Sequence, residues 1–126
     1  MTVVLDTVIL IDHLRGRSEA RDLLVHKARK GHRLVASVVT RTEIIAGMRV
    51  GEEVRTHQLL DAVEWMPVDE QLADLAGELA RRFVRSHRGI GASDYLVAAT
   101  ATWLDAEQMT LNLKHFPMFP GLAAPY

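Results

Sequence analysis

Cysteine is absent from the 126 residues. That excludes a disulfide framework, a thiolate metal site and a cysteine nucleophile, and it accords with a reducing cytoplasm, the expected location. No apolar run approaches the roughly 18 residues that span a bilayer, so no membrane partner is expected. The opening MTVVLDTVILIDHLRG has no basic residue before its apolar stretch, and Asp6 and Asp12 interrupt it. It reads as a strand followed by a helix rather than a signal peptide. His13, His26, His32, His57 and His87 show no HExxH or other ligand spacing. Repeats, low-complexity tracts and linkers are also missing. One domain over residues 1–126 is expected, long enough to bury its own core.

Net charge is close to zero, at −1, but the charges are not evenly spread. From His13 to Arg33 there are seven Lys or Arg against two acids, Glu19 and Asp22. Arg81 to Arg88 holds four arginines and no acid. Glu52 to Glu78 holds eight acids and one base, Arg55. Basic stretches suit a phosphate backbone, although such runs are also ordinary on solvated helix faces.

Thr2 to Leu5 is apolar and β-branched, as a buried strand would be. A helix is predicted over Thr7–Leu14, with Gly16 ending the segment. A second runs from Ser18, as N-cap, to about Lys30 before Gly31. Arg33–Ser37 is a second strand. Thr40 and Glu43 fit a capping box for a helix ending near Gly51. Further helices are predicted over about Glu53–Val63 and Asp69–His87, and from Ser93, as N-cap, to about Asp105. Glu64–Val68, weakened by Pro67, and Met109–Leu111 are the remaining strands, with an irregular tail and a possible short edge strand after Pro117. Strands alternating with helices imply an α/β fold: three layers, α/β/α, around a mostly parallel sheet of four to five short strands. Sites in such sheets form beyond the carboxyl ends of the strands.

Four polar residues fall at that edge. Asp6 follows the first strand directly, and Glu43 is placed in the first turn of the helix after the second strand. Asp94 opens the helix rich in small residues, and Asn112 follows the last strand. Each has an ordinary explanation: acids in a first helical turn oppose the macrodipole, and Asn is a common turn residue. Asp6 is harder to explain that way, because a carboxylate at the end of a buried strand needs a partner. Converging carboxylates raise one another's pKa unless a cation neutralises them. All-oxygen ligands without cysteine favour Mg²⁺ or Mn²⁺. Such a site activates water for phosphodiester hydrolysis.

Four segments in order, VVLDTVILIDHLRG, SVVTRTEIIAGMRVG, GASDYLVAATATWLDA and TLNLKHFPMFPGL, resemble the PIN domain, and within it the VapC-type ribonuclease toxins of bacterial toxin–antitoxin pairs. The resemblance covers nearly the whole chain. It implies a PIN-like α/β/α fold, metal-dependent cleavage of RNA, and metal-ligand and catalytic roles for Asp6, Glu43 and Asp94. It also implies a homodimer and a VapB-type antitoxin whose tail occupies a groove near the acids. Many PIN domains carry a fourth acid where this chain has Asn112, a neutral residue able to coordinate through its carbonyl or position a water. A second tightly held metal is therefore not assured. His115 is placed to contact phosphate, but beside Phe116 and Pro117 the structural role is the one expected. Thr7 is placed to orient Asp6 or simply to begin its helix. Asp12 is expected to face solvent, and Trp65 and Trp103 to be core or interface residues.

Other chemistries fit less well. An aspartyl-phosphate mechanism at Asp6 would want an acid two residues on, where Val8 stands. A receiver-like module would want a lysine at a late strand end, whereas Lys114 lies beyond Asn112. A protein that only binds partners would use these acids solely as caps. The acidic stretch, through Glu52, Glu53 and Asp61, is the expected attractor for an antitoxin.

Overall fold

The computed structural model describes residues 1–126. In chain order the elements are β1 (Thr2–Leu5), α1 (Thr7–Leu14), α2 (Ser18–Arg29), β2 (Arg33–Ser37), α3 (Val38–Ala46), α4 (Glu53–Ala62), β3 (Glu64–Met66), α5 (Glu70–Phe83), α6 (Ala92–Trp103) and β4 (Glu107–Met109). A short 3-10 turn, Leu113–His115, follows. The four strands order as β3-β2-β1-β4, and every pairing is parallel.

β1 is central and buried on both sides, which explains its unbroken apolar run. Val3 and Leu5 face a core made with Ile9, Leu10, Leu24, Ile44 and Leu60, from α1 to α4. Val4 faces the opposite core, with Leu72, Leu79, Ala98 and Phe116, from α5, α6 and the segment beyond β4. The alternation of a strand thus sorts the helices into two layers. α6 is nearly all small residues on its inner side, and Val97, Ala98, Ala99 and Ala101 are all buried against the sheet layer.

Several predicted boundaries move for local reasons. Ser37, not Thr40, caps α3: its Oγ accepts from the Val39 N–H at 3.2 Å, so β2 passes into α3 without a loop. Thr40 is therefore inside the helix and no capping box forms. Glu43 stands in the second turn rather than the first, and α3 stops at Ala46 instead of near Gly51. Ser18 and Ser93 are likewise helical residues, with Arg17 and Gly91 in the cap positions and no side-chain cap. α5 ends at Phe83, short of His87, after Asp69 caps it through the Leu72 N–H at 2.9 Å.

β4 lies two residues earlier than predicted. Its partner β1 ends at Leu5, level with Met109, so the chain has nothing further to pair with. Asn112 is consequently separated from the strand by Thr110 and Leu111. The tail forms no edge strand; it crosses beside β4, enclosing a cavity of about 440 Å³ lined by Glu107–Met109 and Phe119–Pro125. Its end is tied to the other layer, where Tyr126 Oη donates to Asp12 Oδ2 at 2.8 Å and Arg17 stacks on the Tyr126 ring. Asp12 is therefore a half-buried anchor rather than a solvent-facing acid. Trp65 packs on the core edge with its indole N–H on Leu60 O, whereas Trp103 is exposed.

Candidate active site

The register of the sheet builds this site. Leu5 pairs with Met109, and the Asp6 N–H continues the ladder by donating to Met109 O at 2.9 Å. The next residues on each strand, Asp6 and Thr110, are thereby set side by side. Thr110 Oγ1 donates to Asp6 Oδ2 at 2.6 Å, and the Asn112 N–H donates to Thr110 Oγ1 at 2.9 Å. Asp6 is also the N-cap of α1, its Oδ1 accepting from the Thr7 N–H at 2.9 Å. Both carboxylate oxygens thus have a donor, as a buried acid requires.

Those bonds do not fully offset the loss of water. Burial pushes the Asp6 carboxyl above its ordinary value; the bonds from Thr110 and Thr7 oppose this, the charge of Asp94 adds to it, and His115 draws it back. An anion held in a dry pocket beside a second anion is a position that a cation would stabilise.

Thr7 Oγ1 lies 3.1 Å from both Thr40 Oγ1 and Glu43 Oε1. Thr7 has one proton, so donation to the carboxylate leaves Thr40 to donate to Thr7. Thr40 and Glu43 are three apart on α3, hence on one face, and that face meets the start of α1. Asp94 sits in the first turn of α6, where its Oδ2 is 3.0 Å from His115 Nδ1.

The structure therefore gathers Asp6, Asp94 and His115 in one neighbourhood, with Glu43 joined to it through Thr7. Asn112 is exposed at the rim, where Leu111–His115 line a cavity of about 340 Å³. In these rotamers no three Asp, Glu or His side chains converge into one coordination sphere: Asp94 is turned to His115 and Glu43 to Thr7. The donor set nonetheless suits an oxygen-preferring divalent ion, since no Lys or Arg is paired with Asp6, Glu43 or Asp94. Sequence reasoning missed Thr110 and favoured a structural role for His115 over a phosphate contact. Both depend on sheet register and on the turn after β4, which no local motif announces.

The arrangement of charge also differs from its arrangement in sequence. Five of the seven basic residues between His13 and Arg33 are paired with acids: Arg15, Arg17, Arg21, Lys27 and Arg33. Of the later group only Arg81 is paired, with Glu78. Arg82, Arg85 and Arg88 are exposed along the end of α5 and the connection that leads into Asp94.

Comparison with known proteins agrees with this architecture. The family model for the PIN domain matches residues 3–116. The chain is 46% identical to "Ribonuclease VapC19" of Mycobacterium tuberculosis over 98% of each chain. It is also 46% identical to "Ribonuclease VapC10" of the same species, over 98% of this chain and 92% of the other. Among solved structures, a toxin–antitoxin complex from Klebsiella pneumoniae superimposes with a TM-score of 0.78 at 26% identity, covering 98% of both chains. By fold, family match and full-length similarity, the chain belongs to the PIN-domain family, among its VapC-type members.

Proposed function

We propose that this chain is a Mg²⁺- or Mn²⁺-dependent endoribonuclease, the toxin of a type II toxin–antitoxin pair, working as one catalytic domain over residues 1–126. The observation that carries the reading is the buried, threonine-held carboxylate of Asp6 set beside Asp94 at the carboxyl edge of the sheet. The relatives named as VapC ribonucleases support the substrate class.

Asp6, Asp94 and Glu43 are the residues that would hold the ion, which when bound supplies a water activated for attack on phosphorus and neutralises charge on the phosphodiester. The chain's own part is positioning. Thr7 and Thr110 fix Asp6, so its oxygens cannot rotate away from the site. The second residue held by Thr7 is Glu43, an exposed carboxylate able to take the proton of the attacking water. His115 holds Asp94. Hydrolysis then breaks one P–O bond, leaving a phosphate on one RNA end and a hydroxyl on the other. Arg82, Arg85, Arg88 and Lys114 carry no acidic partner; the first three lie at the end of α5 and in the connection into α6, Lys114 in the turn beyond Asn112, and they are the basic residues that would meet the backbone of the substrate. With Asn112 in place of a fourth acid, tight retention of a second ion is not expected.

A VapB-type antitoxin and a homodimer belong to the same reading, the first supported by the toxin–antitoxin complexes among the structural neighbours. Within the acidic stretch, Glu52 is engaged by Arg15 at 2.6 Å and Glu64 by Arg33 at 2.6 Å. Glu53 and Asp61, on α4, are exposed and carry no basic partner, and the same holds for Asp69, Glu70 and Asp74; the two on α4 are proposed to attract a basic partner segment. Expression in a bacterial host tests the function. Induction of the wild-type chain should arrest growth, and both Asp94→Asn and co-expression of its antitoxin should relieve the arrest. Equal arrest by folded Asp94→Asn protein would refute the catalytic reading.

A further inference from the structure

At the opposite end of α1 from Asp6 lies a second polar cavity, about 240 Å³ in volume, lined by His13, Gly16, Ser18, Arg21 and Arg55. The last turn of α1 supplies His13, the α1–α2 connection Gly16, the first turns of α2 Ser18 and Arg21, and the first turn of α4 Arg55. No apolar and no acidic side chain lines it.

Two arginines and a histidine thus face one volume without a carboxylate between them. The neighbouring acids stand outside the lining and meet it from the rim. Glu19 takes Ser18 Oγ and Arg17 at the rim, and Asp22 meets Arg21 at 3.4 Å on the open surface. The crowding is felt by His13: burial first, then the charges of Arg55 and Arg21, hold its imidazole below the ordinary value. His13 Nδ1 is buried with no hydrogen-bond partner in the protein. Arg55 is not a loose surface side chain, because one of its Nη atoms donates to Leu14 O. That contact fixes the guanidinium at the cavity and leaves its other N–H groups free.

We infer that this cavity binds a phosphate group, held by Arg21, Arg55 and His13. Its donors come from three helices and so surround a volume instead of lining a plane. A phosphate, with more oxygens and a second negative charge, can use more of those donors than a carboxylate can. The charges of Arg21 and Arg55 and a protonatable imidazole also match a dianion. The volume admits a phosphate with several waters, each taking about 30 Å³. On the proposed ribonuclease reading, the phosphate is one of the substrate backbone. α1 has eight residues, so the cavity and Asp6 are about 12 Å apart along it. A folded RNA covering one end of that helix reaches the other.

The test follows the His13 ring resonances by NMR while inorganic phosphate is titrated at constant ionic strength, with chloride and acetate as controls. Phosphate should shift them saturably and raise the His13 pKa, chloride should not, and acetate should bind more weakly. Arg21→Gln, which gives up only the exposed 3.4 Å contact with Asp22, and Arg55→Gln, which keeps an amide to donate to Leu14 O, should each weaken the response. Together they should lower phosphate affinity by at least about tenfold. No saturable shift, acetate binding as tightly as phosphate, or full binding by the folded double variant would overturn the site.

A second arm uses bulk transfer RNA, EDTA and Asp94→Asn protein, so that cleavage does not intervene. If the RNA backbone supplies the phosphate, the double variant should reduce the slope of log affinity against log salt by about 1. Phosphate binding with an unchanged RNA slope would support the site and assign it to a free phosphate. RNA cleavage by the wild type without phosphate binding here would overturn this inference alone and leave the nuclease intact.

Discussion

Thr110 and Asp6, 104 positions apart in sequence, share a 2.6 Å hydrogen bond that the β1–β4 register makes unavoidable. Thr110→Val keeps the shape and removes the donor, leaving a buried carboxylate oxygen without a partner. Denaturant unfolding should show a loss of about 1–3 kcal/mol. Calorimetric Mg²⁺ affinity should fall by about 10–100-fold, as is usual when a residue that orients a ligand is lost. Thr110→Ser should recover most of both. Unchanged metal affinity in Thr110→Val would remove Thr110 from the site.

The raised pKa of Asp6 has a definite sign for stability. Burial, its largest cause, favours the protonated form in the folded state. Its stabilising contribution is therefore complete below the unfolded value of 3.8 and is lost as pH rises through the raised folded value. In metal-free protein at neutral pH, Asp6→Asn should consequently melt a few degrees higher than wild type, with the gap opening across that acidic window. Mg²⁺ should raise the wild-type Tm and leave Asp6→Asn nearly unmoved. A metal-free wild type more stable than Asp6→Asn at neutral pH would contradict this account of the site.

These two residues also show what the sequence could and could not convey. Asp6 was legible because it breaks an apolar strand at its carboxyl end, where α/β sheets place their sites. β1, α1 and β2 were legible because burial on both sheet faces and helical spacing leave strong local patterns. Thr110 was not, since a threonine beside a strand is unremarkable until the register sets it against Asp6. Nor was the position of Glu43, because two plausible caps, Ser37 and Thr40, compete and only the path of β2 selects Ser37. His115 reaches Asp94 across the turn beyond β4, a contact that its Phe-Pro neighbours do not foretell.

The unpaired arginines give a further expectation. Replacing Arg82, Arg85 and Arg88 with glutamine should weaken RNA binding across sequences. It should also reduce the salt slope by about 2, at roughly 0.7 per single-stranded phosphate contact. Filter binding by Asp94→Asn protein in EDTA measures this. Changing Arg17 and Arg33, which are already engaged by acids, should alter the slope far less. Equal effects would show that ion pairing does not decide which basic residues meet the substrate.

Tyr126 fastens the tail across the β4 edge through Asp12. Tyr126→Phe removes the hydroxyl and keeps the ring under Arg17, and should cost about 0.5–1.5 kcal/mol. Tyr126→Ala, which also gives up the ring, should cost more and speed amide exchange in residues 119–125. Urea unfolding and hydrogen exchange measure both; identical behaviour of the two variants would show that the tail is held elsewhere.

The central claim is tested most directly by incubating antitoxin-free protein with total cellular RNA in Mg²⁺, Mn²⁺ or EDTA, beside folded Asp94→Asn. Discrete fragments that require the metal and are absent from the variant are the predicted result, and mapping their ends would give the target. Intact RNA under every metal, or the same fragments from Asp94→Asn, would contradict the assignment of this acidic site to RNA cleavage.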